Sequence, residues 1–554
     1  MRRTSRHVFS DREKWHKNQP YLFGRKQWFK EIPIKEETMK TRKVRPLGSK
    51  GVILVMSFIL INLFLAWGTQ TADCKTRVVV AQGAEATRLD PDLQRETTTQ
   101  NVVDHIYDAL LAMGPNGKIV PALAESWRYL NDTTLELKLR KGVKFSNGEP
   151  FNAEVAKYNL DRVLGKLPGA APTPLVEPEL DWVKEYEIVD DYTIQIISKY
   201  PAPLALAYLT QKMMVPFQYT KQDNFASLAT KPVGTGPYVL KSWMKGSELV
   251  LEARKDCWKG IPKIDEIVFR PIPEDSTRIA ELKVGNIDLI TNVKPDNLEE
   301  VKAIKDVDVR SVSSNRTTHL HINTAIAKMK DIRVRKAINY AVDVESLTKN
   351  VLGGNGHRVS VICPKSMVGW DPEEKFYPYD PEMAKKLLAE AGFPDGMDIT
   401  ILTPRGRYVN DVAISEAIAG MLTKVGIRTK VNAVEFGIYI DIIFKAHEKE
   451  PELVFISWGN ALSNTLYDLI PGVLKGGVFN SYTNEKIDSC IEKASSTVDP
   501  KKHVEYLRLA LREMWIDPPF VYLYNMRDNY GVNKRLVWEP RSDERIYLFD
   551  AYVK

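Results

Sequence analysis

The chain reads as an α/β protein built from two or three domains, and three observations lead there. Its 554 residues exceed what a single core organises. Strand and helix patterns alternate, most clearly over residues 397–436. No low-complexity linker or short-period repeat interrupts residues 75–554, which argues for domains that interleave rather than follow one another.

The unit at 397–436 is a βαβ crossover. MDITILTP has strand character, and Ile414, Ile418, Met421, Leu422 and Val425 form one helical stripe. Gly426 ends that helix, IRTKVNAVEF resumes as a strand, and such a connection demands a parallel pair. Just upstream, Asp380-Pro381 opens a helix with an acidic cap and a proline in its first turn. Ala384, Leu387, Leu388 and Ala391 line its inner face, and Gly392 closes it. A similar helix starts after Asp331, with Val334, Ala337, Ile338 and Ala341 inward. LVFIS, 453–457, is a continuous apolar run of the kind a strand covered on both faces requires. An α/β domain is therefore expected over 320–515.

Residues 121–164 form a different local unit. Leu135, Leu137 and Leu139 alternate with Glu136, Lys138 and Arg140 as in a half-buried strand. Ser146-Asn147-Gly148 supplies turn chemistry, and Asn152 caps a helix whose Ala156, Leu160, Val163 and Leu164 share a face.

Charge separates a leader from the body. Residues 1–50 carry fifteen Lys and Arg against five Asp and Glu, a net +10. The whole chain is +7, so residues 51–554 are at −3. Residues 51–67, GVILVMSFILINLFLAW, are uncharged and apolar, and 51–73 read as a signal peptide or membrane anchor. A basic flank before such a run sends the remainder across the membrane, so the body is expected outside the cytoplasm. Met39 opens MKTRKVRPLGSK, a short basic region of ordinary signal-peptide length, and is the preferred start. Ala66 and Gly68 suit a signal peptidase, whereas Asp73 spoils a lipoprotein box at Cys74. The four cysteines, Cys74, Cys257, Cys363 and Cys490, show no CxxC spacing and suggest neither zinc nor redox chemistry; a disulfide among them is allowed outside the cytoplasm.

Several blocks, in order, carry a resemblance. They are LDPDLQRETTTQNVVDHIYDALL, the 121–164 segment PALAESWRYLNDTTLELKLRKGVKFSNGEPFNAEVAKYNLDRVL, VGTGPYVLKSW at 233–243, INTAIAKMKDIRVRKAINYAVD and DPPFVYLYN. Together the chain resembles the family 5 extracellular solute-binding proteins of ABC importers, the peptide and nickel class. That resemblance implies a periplasmic-binding-protein-like two-lobed fold, the large three-domain variant of type II, with a hinged ligand cleft. Lobe I would take 75–113, 234–319 and 516–554, a small β-rich insert 114–233, and lobe II 320–515. The implied function is capture of a peptide-like or other small polar solute by hinge closure and delivery to the permease and ATPase subunits of the importer. No cofactor and no nucleic acid are implied, the protein would be a monomer, and membrane contact would run through the permease or the N-terminal segment.

Three segments are candidates for the solute site. The loop 403–411, TPRGRYVND, joins a strand's carboxyl end to a helix start, where anions are favoured. Arg407, helped by Arg405 and flanked by Tyr408, can pair bidentately with a solute carboxylate there; the alternative is a solvated loop. After LVFIS, Trp458 offers a flat apolar wall or, alternatively, packs in the core. Asn460 stands near the place where dipeptide and oligopeptide binders of the family carry an aspartate for the peptide ammonium. An amide lacks the full charge an ammonium prefers, a departure that argues against an unmodified peptide. In the first lobe, ETTTQ offers Thr98, Thr99 and Gln100 at a helix start, with simple capping as the alternative.

Other chemistries find less. His319 and His321 share a strand face, but no further ligands follow at suitable spacing, so the expectation is a structural role rather than a metal site. Nickel-chelate cargo, an enzyme or a sensor on the same scaffold remain the alternatives. No G-x-S-x-G elbow, H-E-x-x-H or P-loop occurs, and the glycines at 234 and 236 read as a turn; no enzyme is expected.

Overall fold

The computed structural model describes residues 75–554 apart from Arg95, 168–179, Asp181, 444–450 and Val478. The basic leader, the apolar run and Cys74 lie outside the described residues. Among the described residues no helix is long and apolar enough to cross a membrane, and Cys257, Cys363 and Cys490 are free thiols.

An eleven-stranded mixed sheet organises the molecule. Its strands are β1 (Arg77–Gln82), β2 (Tyr238–Met244), β3 (Glu248–Ala253), β4 (Glu266–Pro271), β5 (Leu289–Ile290) and β6 (Val307–Ile322), followed by β7 (Gly356–Arg358), β8 (Met397–Pro404), β9 (Ile427–Val434), β10 (Leu453–Trp458) and β11 (Phe520–Asn533). Across the sheet the order is β9-β8-β10-β6-β11-β5-β1-β4-β3-β2, with β7 pairing separately on β11.

One end of this sheet is the βαβ unit read from sequence. β8 and β9 run parallel from Met397 opposite Ile427 to Pro404 opposite Val434. Between them lies a helix, Asp411–Lys424, whose Ile414, Ile418 and Leu422 have no exposed surface. Each such side chain contributes roughly 1.5–3 kcal/mol by leaving water, which is why a surface helix holds to the sheet. Gly426, at φ 92°, ends the helix in a left-handed turn open to glycine. The helix Pro381–Glu390 begins where Asp380 accepts a bond from Met383 N at 2.9 Å, and Asp331 caps Ile332–Ala341 in the same way. β10 is covered on both faces as expected: Leu453 and Phe455 pack towards these helices, Val454 and Ile456 towards Tyr439 and Leu402. It is parallel to β8 yet antiparallel to β6, so its neighbours are mixed rather than all parallel.

The other end of the sheet has its own core. Val78 and Val80 of β1 pack with Leu251 and Ile267 and with Val102, Val103 and Ile106 of α1 (Thr97–Ile106). The backbone at Gly234 and Gly236 presses against the end of α1. A Cβ at these positions would fall 2.0 Å from the Ile106 carbonyl oxygen and 2.6 Å from that of His105, which explains the two glycines in VGTGPY.

Among the described residues, β6 and β11 are the strands that belong to both cores. On β11, Val521, Leu523 and Tyr524 pack with the helices of the βαβ half, while Tyr530 and Val532 pack with the core of β1 and α1. The two strands pair from Val307 opposite Asn533 to His321 opposite Phe520, with the register broken between Ser313 and Thr317 and again between Thr318 and His319. That break bends the paired strands where the two cores part.

A third body is a four-stranded antiparallel sheet, in the order Ala124–Asn131, Thr134–Leu139, Thr193–Ser198, Val183–Asp190. Leu135, Leu137 and Leu139 face the helix Ala153–Val163, which Asn152 caps through a 3.1 Å bond from Val155 N. Glu136 breaks the expected alternation by being buried, since Arg128 and Gln195 satisfy its carboxylate at 2.7 and 2.9 Å. Arg162 of that helix reaches across to Asp90 and Asp92, at 2.5 and 2.9 Å, tying this body to the segment after β1.

Candidate functional site

The carboxyl ends of β8 and β10 come together at the bend in β6 and β11, and the side chains gathered there are charged or aromatic. From Pro404 the chain turns through 405–410 into the helix at Asp411. The Asp411 carboxylate accepts from the backbone N–H groups of Gly406, Arg407, Tyr408 and Val412 at 3.2, 2.9, 3.0 and 2.9 Å. The anion expected at this helix start is therefore supplied by the chain itself, which engages the amides of Gly406, Arg407 and Tyr408. What the loop does offer is the exposed Arg407 side chain, its guanidinium 5.3 Å from the ring centres of both Tyr408 and Phe436. Two flanking rings hold the side chain by cation–π attraction and leave its edge available for a carboxylate. Arg405 is exposed, and its backbone N–H donates to Val434 O at 2.8 Å.

The β10 end departs from the expectation at two positions. Trp458 is half-buried as an aromatic wedge, its ring centre 4.9 Å from that of His319 and 5.9 Å from that of Phe479. The tip of its indole abuts Gly472, where a Cβ would sit 2.2 Å from the ring, so packing holds that end. Asn460 is buried and its amide is consumed within its own loop. Nδ2 donates to Asn464 O and Asp468 Oδ2 at 2.9 and 2.7 Å, while Oδ1 accepts from Leu462 N and Asn464 N. The Asn460 side-chain amide is thus engaged within its own turn, which it shapes. Behind it, burial pushes the Asp468 carboxyl up to about 7, against the opposing bond from Asn460.

The bend itself brings in residues that sequence reasoning missed. Ser314, Asn315 and Arg316 lie in the register break of β6. Arg316 donates through Nε to Glu544 at 3.0 Å and through Nη1 to Ser457 O at 3.0 Å, crossing Gly459, where a Cβ would meet the guanidinium at 2.7 Å. Ser314 Oγ donates to the same Glu544 oxygen at 3.1 Å. Burial opposes the charge on Glu544, but Arg316 holds its carboxyl below the usual carboxylate range. Beside it, burial and then the Glu544 charge push the carboxyl of Asp528, on β11, well above that range. The signal for Asp528 was present in the sequence. It is an acid at a strand position whose same-face neighbours Tyr524, Tyr530 and Val532 are apolar and buried.

The ETTTQ segment joins this network from the other core. Glu96 precedes α1 without a side-chain cap bond, and the threonines are not caps either. Thr99 is fully buried and accepts from Thr87 N at 3.0 Å; half-buried Thr98 donates to Glu85 O at 3.4 Å. Gln100 accepts from Gln94 at 2.6 Å and donates to Asp104 at 2.6 Å, and Asp104 takes Arg545 at 3.1 Å. Arg545 follows Glu544 in the chain, so the hydrogen-bonded set Gln100, Asp104 and Arg545 adjoins in sequence the set Glu544, Arg316 and Ser457. His319 and His321 are both buried against Phe520, at ring distances of 4.5 and 5.2 Å, and burial holds the His319 imidazole well below its ordinary pKa. Among the described residues no group of three His, Cys, Asp or Glu side chains is placed to hold a metal.

Comparison with known proteins agrees with this architecture. Residues 118–480 match the model of the middle region of bacterial extracellular solute-binding proteins, family 5. The glutathione-binding protein GsiB of Shigella flexneri serotype 5b is 26% identical over 458 residues, covering 80% of this chain and 88% of that protein. Among solved structures, HbpA2 from Haemophilus parasuis superposes with a TM-score of 0.78 at 21% identity, over 86% of this chain and all of that one. The periplasmic binding protein DppA from Helicobacter pylori, in complex with the peptide STSA, superposes with a TM-score of 0.72 at 25% identity, over 87% of this chain and 99% of that one. These matches give the two-lobed periplasmic-binding-protein fold, and with the family model spanning most of the body, the chain belongs to the family 5 bacterial extracellular solute-binding proteins.

Proposed function

We propose that the protein captures a small polar, peptide-like solute outside the cytoplasm by closing its two lobes, and delivers it to the permease and ATPase subunits of an ABC importer as a monomer. The observation that carries this reading is the gathering of Arg407, Tyr408, Arg316, Glu544 and Asp528 at the bend of β6 and β11, two strands that belong to both cores. Two bodies joined by a bent strand pair can rotate, and a solute that touches both stabilises the closed arrangement over the open one. The lobes are proposed as 75–113, 234–319 and 516–554 for the first, 114–233 for the insert and 320–515 for the second. The cores around Ile414, Val102 and Leu137 lie mainly in the second lobe, the first lobe and the insert in turn, with Val215 and Leu228 of the insert packed in the first lobe's core and Val521 and Leu523 in the second's. Export rests on the basic leader and apolar run, which act as a signal peptide or anchor. Within the site, Arg407 takes an anionic group of the solute, with Tyr408 and the exposed edge of Trp458 as apolar walls.

The relatives favour a peptide-like solute, GsiB by its glutathione and DppA by its bound peptide. The test is to denature protein purified from its native envelope fraction, identify the released small molecule by mass spectrometry and titrate it back by calorimetry. A saturable binder that raises the melting temperature as RT ln(1 + [L]/Kd) requires, about 2.7 kcal/mol at a hundredfold excess over Kd, supports the reading. Turnover of that molecule by the purified protein would replace it with an enzyme.

A further inference from the structure

Away from the bend, the helix Pro500–Ile516 and the segment 360–375 that follows β7 enclose a cavity of about 320 Å³. A volume of this size lies in the range of small-molecule sites. Its lining shares no residue with the loops 403–411 and 457–460 or with the register break of β6. Leu511 and Trp515 stand one turn apart on the helix, as do Arg512 and Ile516, so one face of the helix forms a wall. Val361 and Leu511 give the cavity a buried apolar lining, and Ile516, 46% exposed, carries that lining out to the surface.

The acids of the lining are already paired. Asp371 accepts from Arg512 Nε at 2.6 Å and from the backbone N–H of Glu373 at 3.1 Å. Glu373, 80% exposed, takes Arg512 Nη2 at 3.2 Å. Glu374 accepts from Trp370 Nε1 at 3.1 Å through one oxygen and from Ser360 Oγ through the other. What the lining has left over is two donors. The indole N–H of Trp515 is shielded from water and has no hydrogen-bond partner among the described residues. Lys375 is exposed, and its ammonium has no ion-pair partner among them. A shielded N–H without an acceptor costs free energy that an arriving oxygen recovers. A cationic ligand here would meet carboxylates whose charges are already engaged and would leave the indole unpaired, whereas a carboxylate meets both free donors.

We propose that this cavity is a second ligand site, for a small molecule with an apolar body and a carboxylate. The body packs on Val361, Leu511 and Ile516, and the carboxylate accepts from Trp515 Nε1 and faces Lys375 Nζ. The site is independent of the one at the bend and of the solute held there.

The test is calorimetry on the full mature chain with hexanoate and phenylacetate, beside hexanamide and hexylamine. The expected result is saturable binding of the two carboxylates with Kd below about 5 mM, with hexanamide weaker by about threefold and hexylamine by about tenfold or more. Trp515→Phe keeps a ring and removes the N–H, and should weaken both carboxylates about tenfold; Lys375→Met should weaken them about threefold. Arg407→Ala, which reports any carboxylate that binds at the bend instead, should bind hexanoate as the wild type does. The comparison of carboxylate with amine needs no variant and stands if Trp515→Phe fails to fold. The assignment is overturned if neither carboxylate binds up to about 20 mM, if hexylamine binds as well as hexanoate, or if Trp515→Phe binds hexanoate unchanged. Loss of hexanoate binding in Arg407→Ala overturns it too, by placing the probe at the bend. None of these results bears on the solute-binding reading, which is judged on the molecule released from native protein.

Discussion

Arg316→Met removes the one cation that joins the three segments at the bend. In the native protein its guanidinium spans Glu544 and the Ser457 carbonyl, both at 3.0 Å, and about a quarter of each ionised side chain is exposed, 25% for Arg316 and 23% for Glu544. Truncating one partner of a fully buried pair costs about 3–5 kcal/mol, whereas exposed pairs contribute below about 1 kcal/mol. This pair stands between those limits, and about 2 kcal/mol is expected at pH 7, with Glu544 left beside Asp528 and only Ser314 to satisfy it. The assay is urea unfolding of both proteins at pH 7 and pH 4. Arg316 holds the Glu544 carboxyl below its ordinary value, so the contribution is complete above that ordinary value and disappears as pH falls through the depressed one. The difference between the proteins should therefore shrink towards acid, and Glu544→Gln added to Arg316→Met should recover part of the loss. A difference below about 0.5 kcal/mol at pH 7, or one that widens on acidification, would refute the reasoning.

Arg407→Ala should weaken binding of the native solute by roughly 30-fold or more without lowering stability, because the side chain is exposed and supports no core; calorimetry within about threefold of wild type sinks that role. The Asp468 carboxyl, pushed up to about 7, favours the folded state most at low pH and loses that advantage as pH rises from about 4 to about 7. Asp468→Asn should flatten this slope and add on the order of 2–4 kcal/mol at pH 8, and a pH-independent offset in chemical unfolding would count against it. His319 has no exposed surface and neither ring nitrogen has a hydrogen-bond partner among the described residues, so His319→Phe should gain about 1–3 kcal/mol and extend stability below pH 6.5, where protonation of the unfolded imidazole otherwise draws the chain apart. Thermal melts at pH 7 and pH 5 check it, and a loss of stability at both would show that the aromatic neighbours need the smaller ring.

Local rules made much of the fold legible. Asn152, Asp331 and Asp380 each cap the helix their type and place announced, and the stripe Ile414, Ile418 and Leu422 is the buried face of its helix. The site was legible only in part, because what decides it is tertiary. Arg407 was identifiable as a loop arginine at a strand's carboxyl end, but the competing anion, Asp411, belongs to the same motif and fills the amides itself. Asn460 looked available because a turn residue's hydrogen bonds to its own backbone do not show in a one-dimensional pattern. Arg316 and Glu544 are far apart in sequence, and only the register break in β6 brings them together. Trp458 satisfies both readings of an aromatic residue, since it is half-buried and Gly472 leaves room for one end of its ring.

Small-angle scattering of the solute-free and solute-saturated protein tests hinge closure most directly. Two lobes joined by β6 and β11 should give a smaller radius of gyration and a shorter maximum dimension when the solute bound at Arg407 touches both. Identical profiles with calorimetrically saturated solute would contradict the account and describe a rigid scaffold instead.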